Sequence, residues 1–414
     1  MESIYGLKKC ILKIKNNNEV DFLKKILVFG MTQNPGGIES VIMNFYRNIN
    51  RDKIQFDFLC NCKEIAYENE IKELGGKIYK ITPKSEGYFQ YKKELKSFFE
   101  QNASKYDGFW MNVCNLNNID YLKYAKKYNI SKRIIHAHNS KSMAISFKQV
   151  IKNTLLHNFN KLFIKRFATD FYSCSNEASK YFYNKKIIES NSYVLINNAI
   201  DTSNFLYNET ISKEYKQLLN LNERIIIGNI GRLTFQKNQE FVIDIFEKLH
   251  KKDERYSLLL IGQGEDEEKL KEKVKRLNLE SYIYFLGVRN DVNNLLQAID
   301  IFLFPSVFEG LPVTLIEAEA SGTEIITSVE AFPNNTILTN NLIKLSLKED
   351  IDIWVDEILK LKVNNNDRIK KSKDNIEFLK VKGFDIKQEA KKFENSIIEG
   401  WKNEYIKKDL CCYT

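Results

Sequence analysis

The sequence lacks several things, and each lack narrows what it can be. No run of about 18 apolar residues occurs in its 414, so no membrane-crossing helix is expected. The start, MESIYGLKKCILKIKNNNEVD, has one short apolar run, broken by Lys13 and Lys15, and no small-residue cleavage site. It reads as an extension, residues 1–23, ahead of the first strand rather than as a signal peptide. Seven cysteines (Cys10, Cys60, Cys62, Cys114, Cys174, Cys411 and Cys412) are odd in number and follow no framework spacing. That fits a reduced, cytoplasmic chain. Cys60 and Cys62 have no second ligand pair nearby, which argues against zinc. Histidines number only four, and no GxGxxG occurs. No Asp-x-Asp follows a strand-like run; Asp350-Ile351-Asp352 precedes a helical stretch instead.

What is present suits a soluble globular chain, 43% hydrophobic and 28% charged. Its length suits two domains of roughly 200 residues. The net charge of +9 fits a lysine-rich solvated surface, or attraction to phosphate groups or an anionic membrane face. The lysines are dispersed and not interleaved with aromatics, so no nucleic-acid partner is expected.

Short apolar runs alternate with helix-length polar stretches. The first series is KILVFG at 25–30, IQFDFLC at 54–60, GKIYKI at 76–81, DGFWMNV at 107–113, RIIHAH at 133–138, DFYSCS at 170–175 and SYVLINNAI at 192–200. The second is RIIIGNIGRL at 224–233, YSLLLIGQG at 256–264, SYIYFLG at 281–287, DIFLFPS at 300–306, TEIITSV at 323–329 and LIKLSL at 342–347. This alternation predicts an α/β chain of two doubly wound, Rossmann-like domains. Ligands then belong beyond the C-terminal ends of the strands. We expect an N-terminal domain over 1–205 and a C-terminal domain over 206–390. Residues 391–414 are expected to form a helix crossing back to the first domain.

The residues at those strand ends carry chemistry. Gly36 and Gly37 open a helix after the first strand, where a ligand can approach bare backbone and free N–H groups; a tight turn is the plainer alternative. His136 and His138, in HAHNS, share one strand face and suit either packing or contact with a sugar in an interdomain cleft. Arg232 and Lys237, in GRLTFQKN, flank a loop entering a helix and suit a diphosphate; a solvated charge pair is the alternative. In FEGLPVTLIEAEASG, Glu309 follows a strand and Gly310-Leu311-Pro312 opens a helix that carries Glu317. Two carboxylates so spaced can accept hydroxyl hydrogen bonds, with backbone N–H groups between them. Glu319 points elsewhere on that helix and reads as structural.

In this order the motifs resemble those of glycosyltransferase family 4 enzymes of the GT-B fold, from about residue 24 onward. They are PGGIE, HAHNS, INNAID at 196–201, GRLTFQKN, LIGQGE at 260–265, FLGVRNDV at 285–292 and Glu-x7-Glu ending in EAEASG. The nearest flavour is capsule and exopolysaccharide transferases. The resemblance implies that Arg232 and Lys237 hold the donor diphosphate and stabilise it as leaving group. It implies Glu317 at the ribose, Glu309 at the transferred sugar, Gly37 beside the phosphate and the backbone of Val288 and Arg289 at the base. Gly310 and Leu311 join the donor set, and His138 meets the donor sugar near the reaction centre, with His136 as second choice. Ala199 departs from the family, which often has glycine there; so does Thr323, where a small residue followed by proline is common.

The expected activity is a retaining, metal-independent transfer from a nucleotide-diphosphate sugar, a UDP-sugar foremost, to a polysaccharide or lipid-linked acceptor of bacterial surface glycan synthesis. No bound cofactor is expected. Two alternatives are a GT-B-shaped nucleotide-sugar epimerase and a non-catalytic nucleotide-sugar-binding subunit. The stretch 146–166, SFKQVIKNTLLHNFNKLFIKR, carries Lys148, Lys152, Lys161, Lys165 and Arg166 without an acid. Val150, Ile151, Leu155, Leu156, Phe159, Leu162 and Phe163 recur among them at helical spacing. It reads as a helix packed on the first domain with a solvated basic face, or as an interfacial helix on the inner face of the cell membrane.

Overall fold

A computed structural model describes residues 23–33, 35–140, 147–309, 312–331, 339, 342–362 and 364–398. The apolar runs become strands: β1 Lys24–Phe29, β2 Ile54–Cys60, β3 Ile78–Lys80, β4 Gly108–Val113, β5 Lys132–Ala137, β6 Asp170–Ser173 and β7 Tyr193–Leu195. They form one sheet in the order β3-β2-β1-β4-β5-β6-β7. A second sheet holds β8 Ile225–Ile230, β9 Tyr256–Ile261, β10 Ile283–Gly287, β11 Ile301–Phe304, β12 Glu324–Ser328 and β13 Leu342–Leu345, ordered β10-β9-β8-β11-β12-β13. Neighbouring strands run parallel in both sheets. The central strands are buried on both faces because helices cover both, which is why they read as continuous apolar runs.

The winding direction reverses between β1 and β4, and again between β8 and β11. In sheets of this kind the loops after these strands diverge at that point, which is where a ligand crevice is expected. One apolar cluster runs along a face of the first sheet, through Ala199, Ile200 and Phe205, into the second sheet. Each sheet has a separate cluster on its other face.

The chain crosses between the sheets twice, and the crossings lie side by side. Ile200 N–H donates to Phe384 O at 3.0 Å, and Ile386 N–H donates to Ile200 O at 2.9 Å. The Asn197 amide donates to Lys382 O and Gly383 O at 3.2 and 3.1 Å. After the second crossing, the Ile386–Ile398 helix packs on the first sheet. Phe393 lies 4.6 Å from Trp110 and 5.3 Å from Phe45 between ring centroids. Residues 399–414 and 1–22 lie outside the described residues.

The Phe147–Phe163 helix is turned inside out. Its inward side chains are polar: His157 Nδ1 accepts from Leu116 N–H at 3.1 Å, and the Asn160 amide donates to Leu116 O at 2.6 Å. Its apolar side chains face outward, with Leu155 66%, Phe159 59% and Leu162 73% exposed. Lys161 also turns inward, to the carbonyls of Lys180 and Tyr181, both at 2.7 Å. Lys152, Lys165 and Arg166 are exposed. Among the described residues, no helix is long and apolar enough to cross a membrane.

Candidate active site

The loop after β8 is held by backbone packing that only glycine permits. A Cβ on Gly262, whose φ is +132°, would lie 2.1 Å from Gly231 O. One on Gly264 would lie 2.1 Å from Leu233 O. These glycines, from LIGQGE, let the β9 loop press on the 231–238 loop, and Leu233 N–H donates to Gln263 O at 3.1 Å. Gln239 fastens the loop from within; its side chain bonds Thr234 N–H, Arg232 O and Asn229 Oδ1 at 3.2, 3.2 and 3.1 Å.

The same loop is sewn to the loop after β11. Val307 N–H donates to Gln236 O at 2.9 Å. The Gln236 amide donates to Phe308 O at 3.0 Å and Glu309 Oε2 at 3.3 Å. Lys237 Nζ lies 2.7 Å from Glu309 Oε1 and 4.7 Å from the Phe304 ring centroid. Both side chains are largely withdrawn from water, 16% and 6% exposed. Arg232 stands apart; it is exposed, with Glu265 3.5 Å away. The two cations of GRLTFQKN are thus unlike: one is buried and paired, the other open to solvent.

Gly310 and Leu311 lie outside the described residues. Pro312 caps the Val313–Ala320 helix, outside its first turn rather than in it. Glu317 faces the first domain. Burial alone pushes its carboxyl up to about 7, and its charge adds to the burial that raises the Tyr67 phenol. Tyr67 belongs to the first domain and has a left-handed φ of +61°, rare for a bulky residue. Glu319 turns the other way. Its Oε1 accepts from Thr339 N–H and Oγ1 at 2.9 and 2.7 Å, and burial holds it near 7 too.

On the first domain, Gly36 caps the Gly37–Asn48 helix, and a Cβ on Gly37 would meet nothing within 4 Å. Protein packing therefore does not demand glycine at 37. His138 follows β5 and is 9% exposed, with Nε2 2.9 Å from Asn112 Oδ1. His136 is wholly buried, its ring 4.1 Å from that of His138 and 6.0 Å from Trp110. That is a core position, so His138 is the histidine nearer the crevice. Two residues on, Ser140 Oγ donates to Glu309 O at 3.2 Å. This bond ties the His138 loop to the Lys237–Glu309 pair across the domains.

Val288 and Arg289 follow β10, beside Gly262 N–H, which donates to Gly287 O at 2.8 Å. Val288 is exposed; Arg289 forms a two-point pair with Asp291 at 2.8 and 2.6 Å. Sequence reasoning missed Asn112, Gln236, Gln239, Ser140 and Tyr67. A readable sign was polar Asn112 near the end of the apolar run GFWMNV. Asp350 proves to be a helix cap, accepting from Asp352 N–H at 3.0 Å, with Lys248 beside both carboxylates.

Residues 211–377 match the family model described as glycosyl transferases group 1. The putative glycosyltransferase EpsF of Bacillus subtilis is 29% identical over 340 residues, 81% of this chain and 87% of that protein. The N,N'-diacetylbacillosaminyl-diphospho-undecaprenol alpha-1,3-N-acetylgalactosaminyltransferase of Campylobacter jejuni is 30% identical over 196 residues, 45% of this chain and 50% of its own length. Among solved structures, Anabaena Alr3699/HepE in complex with UDP and glucose has a TM-score of 0.72 at 16% identity, over 90% of this chain and 99% of that one. At that identity the likeness is one of fold.

Proposed function

We propose that this chain, which belongs to the group 1 glycosyl transferases, moves a sugar from a UDP-sugar or another nucleotide-diphosphate sugar to a polysaccharide or lipid-linked acceptor. The transfer retains the anomeric configuration and needs no metal ion. The observation that carries this reading is the buried Lys237–Glu309 pair at the switch point of the second sheet, bonded across to the His138 loop. A fixed cation there can meet the charge that develops on a departing diphosphate, and a carboxylate beside it can take sugar hydroxyls. HepE, of like fold, is described with UDP and glucose, and the Campylobacter jejuni relative is named for a lipid-diphosphate acceptor.

In this reading Lys237 and Arg232 hold the diphosphate, and Glu309, Gly310 and Leu311 meet the sugar. Glu317 takes the ribose hydroxyls, and Val288 and Arg289 flank the base. Gly36 and Gly37 close the phosphate side; the open space where a Gly37 side chain would stand leaves room for a ligand. Residues 1–205 form the acceptor side and 206–390 the donor side, and 391–414 return to the first domain. The outward apolar face of the Phe147–Phe163 helix rests on the anionic inner leaflet, where a lipid-linked acceptor resides. The enzyme is then cytoplasmic and peripheral to the membrane.

The test is a thermal-shift panel of nucleotide sugars on the purified chain, followed by transfer to a lipid-diphosphate acceptor. A donor held tightly raises Tm by mass action. One nucleotide sugar should do so and then be consumed, with product NMR reading retention. No shift and no transfer with any nucleotide sugar sinks the proposal.

A further inference from the structure

Among the described residues, five that are not glycine have a left-handed φ, and four of these are asparagine: Asn129, Asn220, Asn238 and Asn278. Asparagine tolerates that conformation, and a bulky ring adopts it rarely. The fifth is Tyr67, with φ +61° and ψ +22°, at the start of the Glu68–Glu73 helix. Strain of this kind persists where the surroundings over-determine the backbone, and they do so here. Ala66 N–H, one residue before, donates to Thr32 O at 2.8 Å and pins the segment to the loop after β1. Arg47 lies over the ring, 5.4 Å from its centroid, and is itself held by Glu70 at 2.6 and 2.8 Å.

This packing fixes the ring yet leaves the hydroxyl nearly uncommitted. Among the described residues its hydrogen-bond partner is Ser40 Oγ, 3.4 Å away and beyond the usual O–H···O range. Burial raises the phenol above its usual value, so it keeps its proton and can donate. Glu317, on the second domain, is near enough for its charge to raise the phenol further. The Glu317 carboxyl has no hydrogen-bond or ion-pair partner among the described residues, Tyr67 included. A spare donor and a spare acceptor thus stand near each other across the domains without touching.

Two chemistries could bridge them. A diphosphate oxygen accepts from a phenol but has no proton for Glu317, and no cation offsets the charge of that carboxylate. A hydroxyl serves both sides, accepting from one and donating to the other. We infer that Tyr67 is a specificity-determining residue: one ribose hydroxyl of the donor accepts from the Tyr67 phenol and donates to Glu317, and so ties the first domain to the second. This rests on the donor-site reading above, which places the ribose at Glu317. The nucleotide alone then draws the two domains together, before any sugar is transferred.

The experiment is calorimetry on the full chain with UDP, 2'-deoxy-UDP and 3'-deoxy-UDP, or the same series of GDP or ADP where the donor panel selects that base. It is run at pH 8, above the value of about 7 to which burial raises Glu317, so that the carboxylate is the acceptor. Tyr67→Phe keeps the ring and its Arg47 contact, so Tm should hold. It should bind UDP about threefold to tenfold more weakly than the wild type. One of the two deoxy forms should be bound alike by both proteins, because the hydroxyl that Tyr67 meets is already gone. Equal UDP affinity in the two proteins overturns the inference. So does a loss of the same size for UDP and both deoxy forms. Glu317→Gln separates the two readings. If its effect depends on a ribose hydroxyl and that of Tyr67→Phe does not, the inference falls and the ribose site stands. If neither variant senses a ribose hydroxyl, or the wild type binds none of the three nucleotides, the ribose site falls with it. Should Tyr67→Phe not fold, Tyr67→Asn, the residue at the other left-handed positions, makes the same comparison.

Discussion

Lys237 and Glu309 are 72 residues apart in the chain, yet their charged atoms lie 2.7 Å apart between two loops, largely withdrawn from water. Neither charge is left bare. On the proposed reading, a phosphate entering there competes with the Glu309 carboxylate for one ammonium, so donor binding would rearrange a pair that the fold already satisfies. Lys237→Ala should therefore act twice. It leaves a carboxylate buried without its cation, and it removes a charged hydrogen bond from the leaving group. Such bonds are worth about 1.5–3 kcal/mol, so kcat/KM should fall roughly ten- to a hundredfold. Tm should fall too. Glu309→Gln, which frees the ammonium, should lower turnover while tightening UDP binding. Steady-state kinetics and UDP calorimetry check this; unchanged kinetics in Lys237→Ala would remove the pair from the site.

Glu317 predicts a pH dependence of known sign. Its carboxyl ordinarily ionises at 4.5 and in the fold at about 7. Below 4.5 folded and unfolded chains both hold the proton, and this group's contribution to stability is fully present. Between 4.5 and 7 the unfolded chain loses the proton first, so stability falls with rising pH; above 7 the loss is complete. Glu319 acts in the same direction, so Glu317→Gln should flatten only part of the slope and the double Gln variant more. Ribose hydroxyls bond best to the carboxylate, so UDP should bind more tightly as pH rises through 7 and release a proton on binding. Calorimetry near pH 7 in buffers of different ionisation enthalpy measures that proton. Wild type and Glu317→Gln releasing the same amount would sink the ribose assignment.

Transfer should survive a chelator. On the proposed reading Lys237 and Arg232 supply two positive charges to the diphosphate, one sheltered and one open; Asp350 caps a helix, with Asp352 in its first turn and Lys248 beside both carboxylates. Initial rates with and without EDTA decide this. Loss of transfer that manganese or magnesium restores would mean that a metal does the work assigned here to the cations.

The two sheets were legible because each strand is short, apolar and bounded by polar residues, and such runs have few other uses in a chain of this length. SYVLINNAI misled. Only Tyr193–Leu195 is strand; from Ile196 the chain is a crossing segment, and the Asn197 amide binds the other crossing at Lys382 and Gly383. That partnership spans 185 residues and leaves no local mark. Ala199 seemed awkward for a turn often made with glycine, but it is not among the residues of positive φ, so alanine fits. Glu309 and Glu317 stood out through their spacing. Asn112 did not: it matters only because Phe29 and His138 come to it from 83 and 26 residues away. Helical periodicity located the Phe147–Phe163 helix but could not say which face turns inward. That was decided by Leu116, whose N–H and C=O capture His157 and Asn160.

That inversion yields the last prediction. A helix that buries His157 and Asn160 while exposing Leu155, Phe159 and Leu162 keeps apolar surface in water, which is unfavourable by about 25 cal/mol per Å². The basic residues beside it, Lys152, Lys165 and Arg166, are exposed as well, so a partner suited to this face would be apolar beneath and negative at its surface. An anionic bilayer has both properties, and each basic residue near it contributes on the order of 1 kcal/mol, screened by salt. Two reversals separate the contributions. Changing Lys152, Lys165 and Arg166 to Glu should abolish co-sedimentation with anionic vesicles at low salt. Changing Leu155, Phe159 and Leu162 to Ser should leave weak binding that moderate salt removes. Lys161 is left alone because its ammonium bonds Lys180 O and Tyr181 O, and altering it would disturb the fold instead of the surface. Neither set touches the crevice, so transfer to a soluble acceptor should persist while transfer to a bilayer-embedded one falls. Equal recovery of the wild type with neutral and anionic vesicles would mean that something other than a charged membrane covers this face.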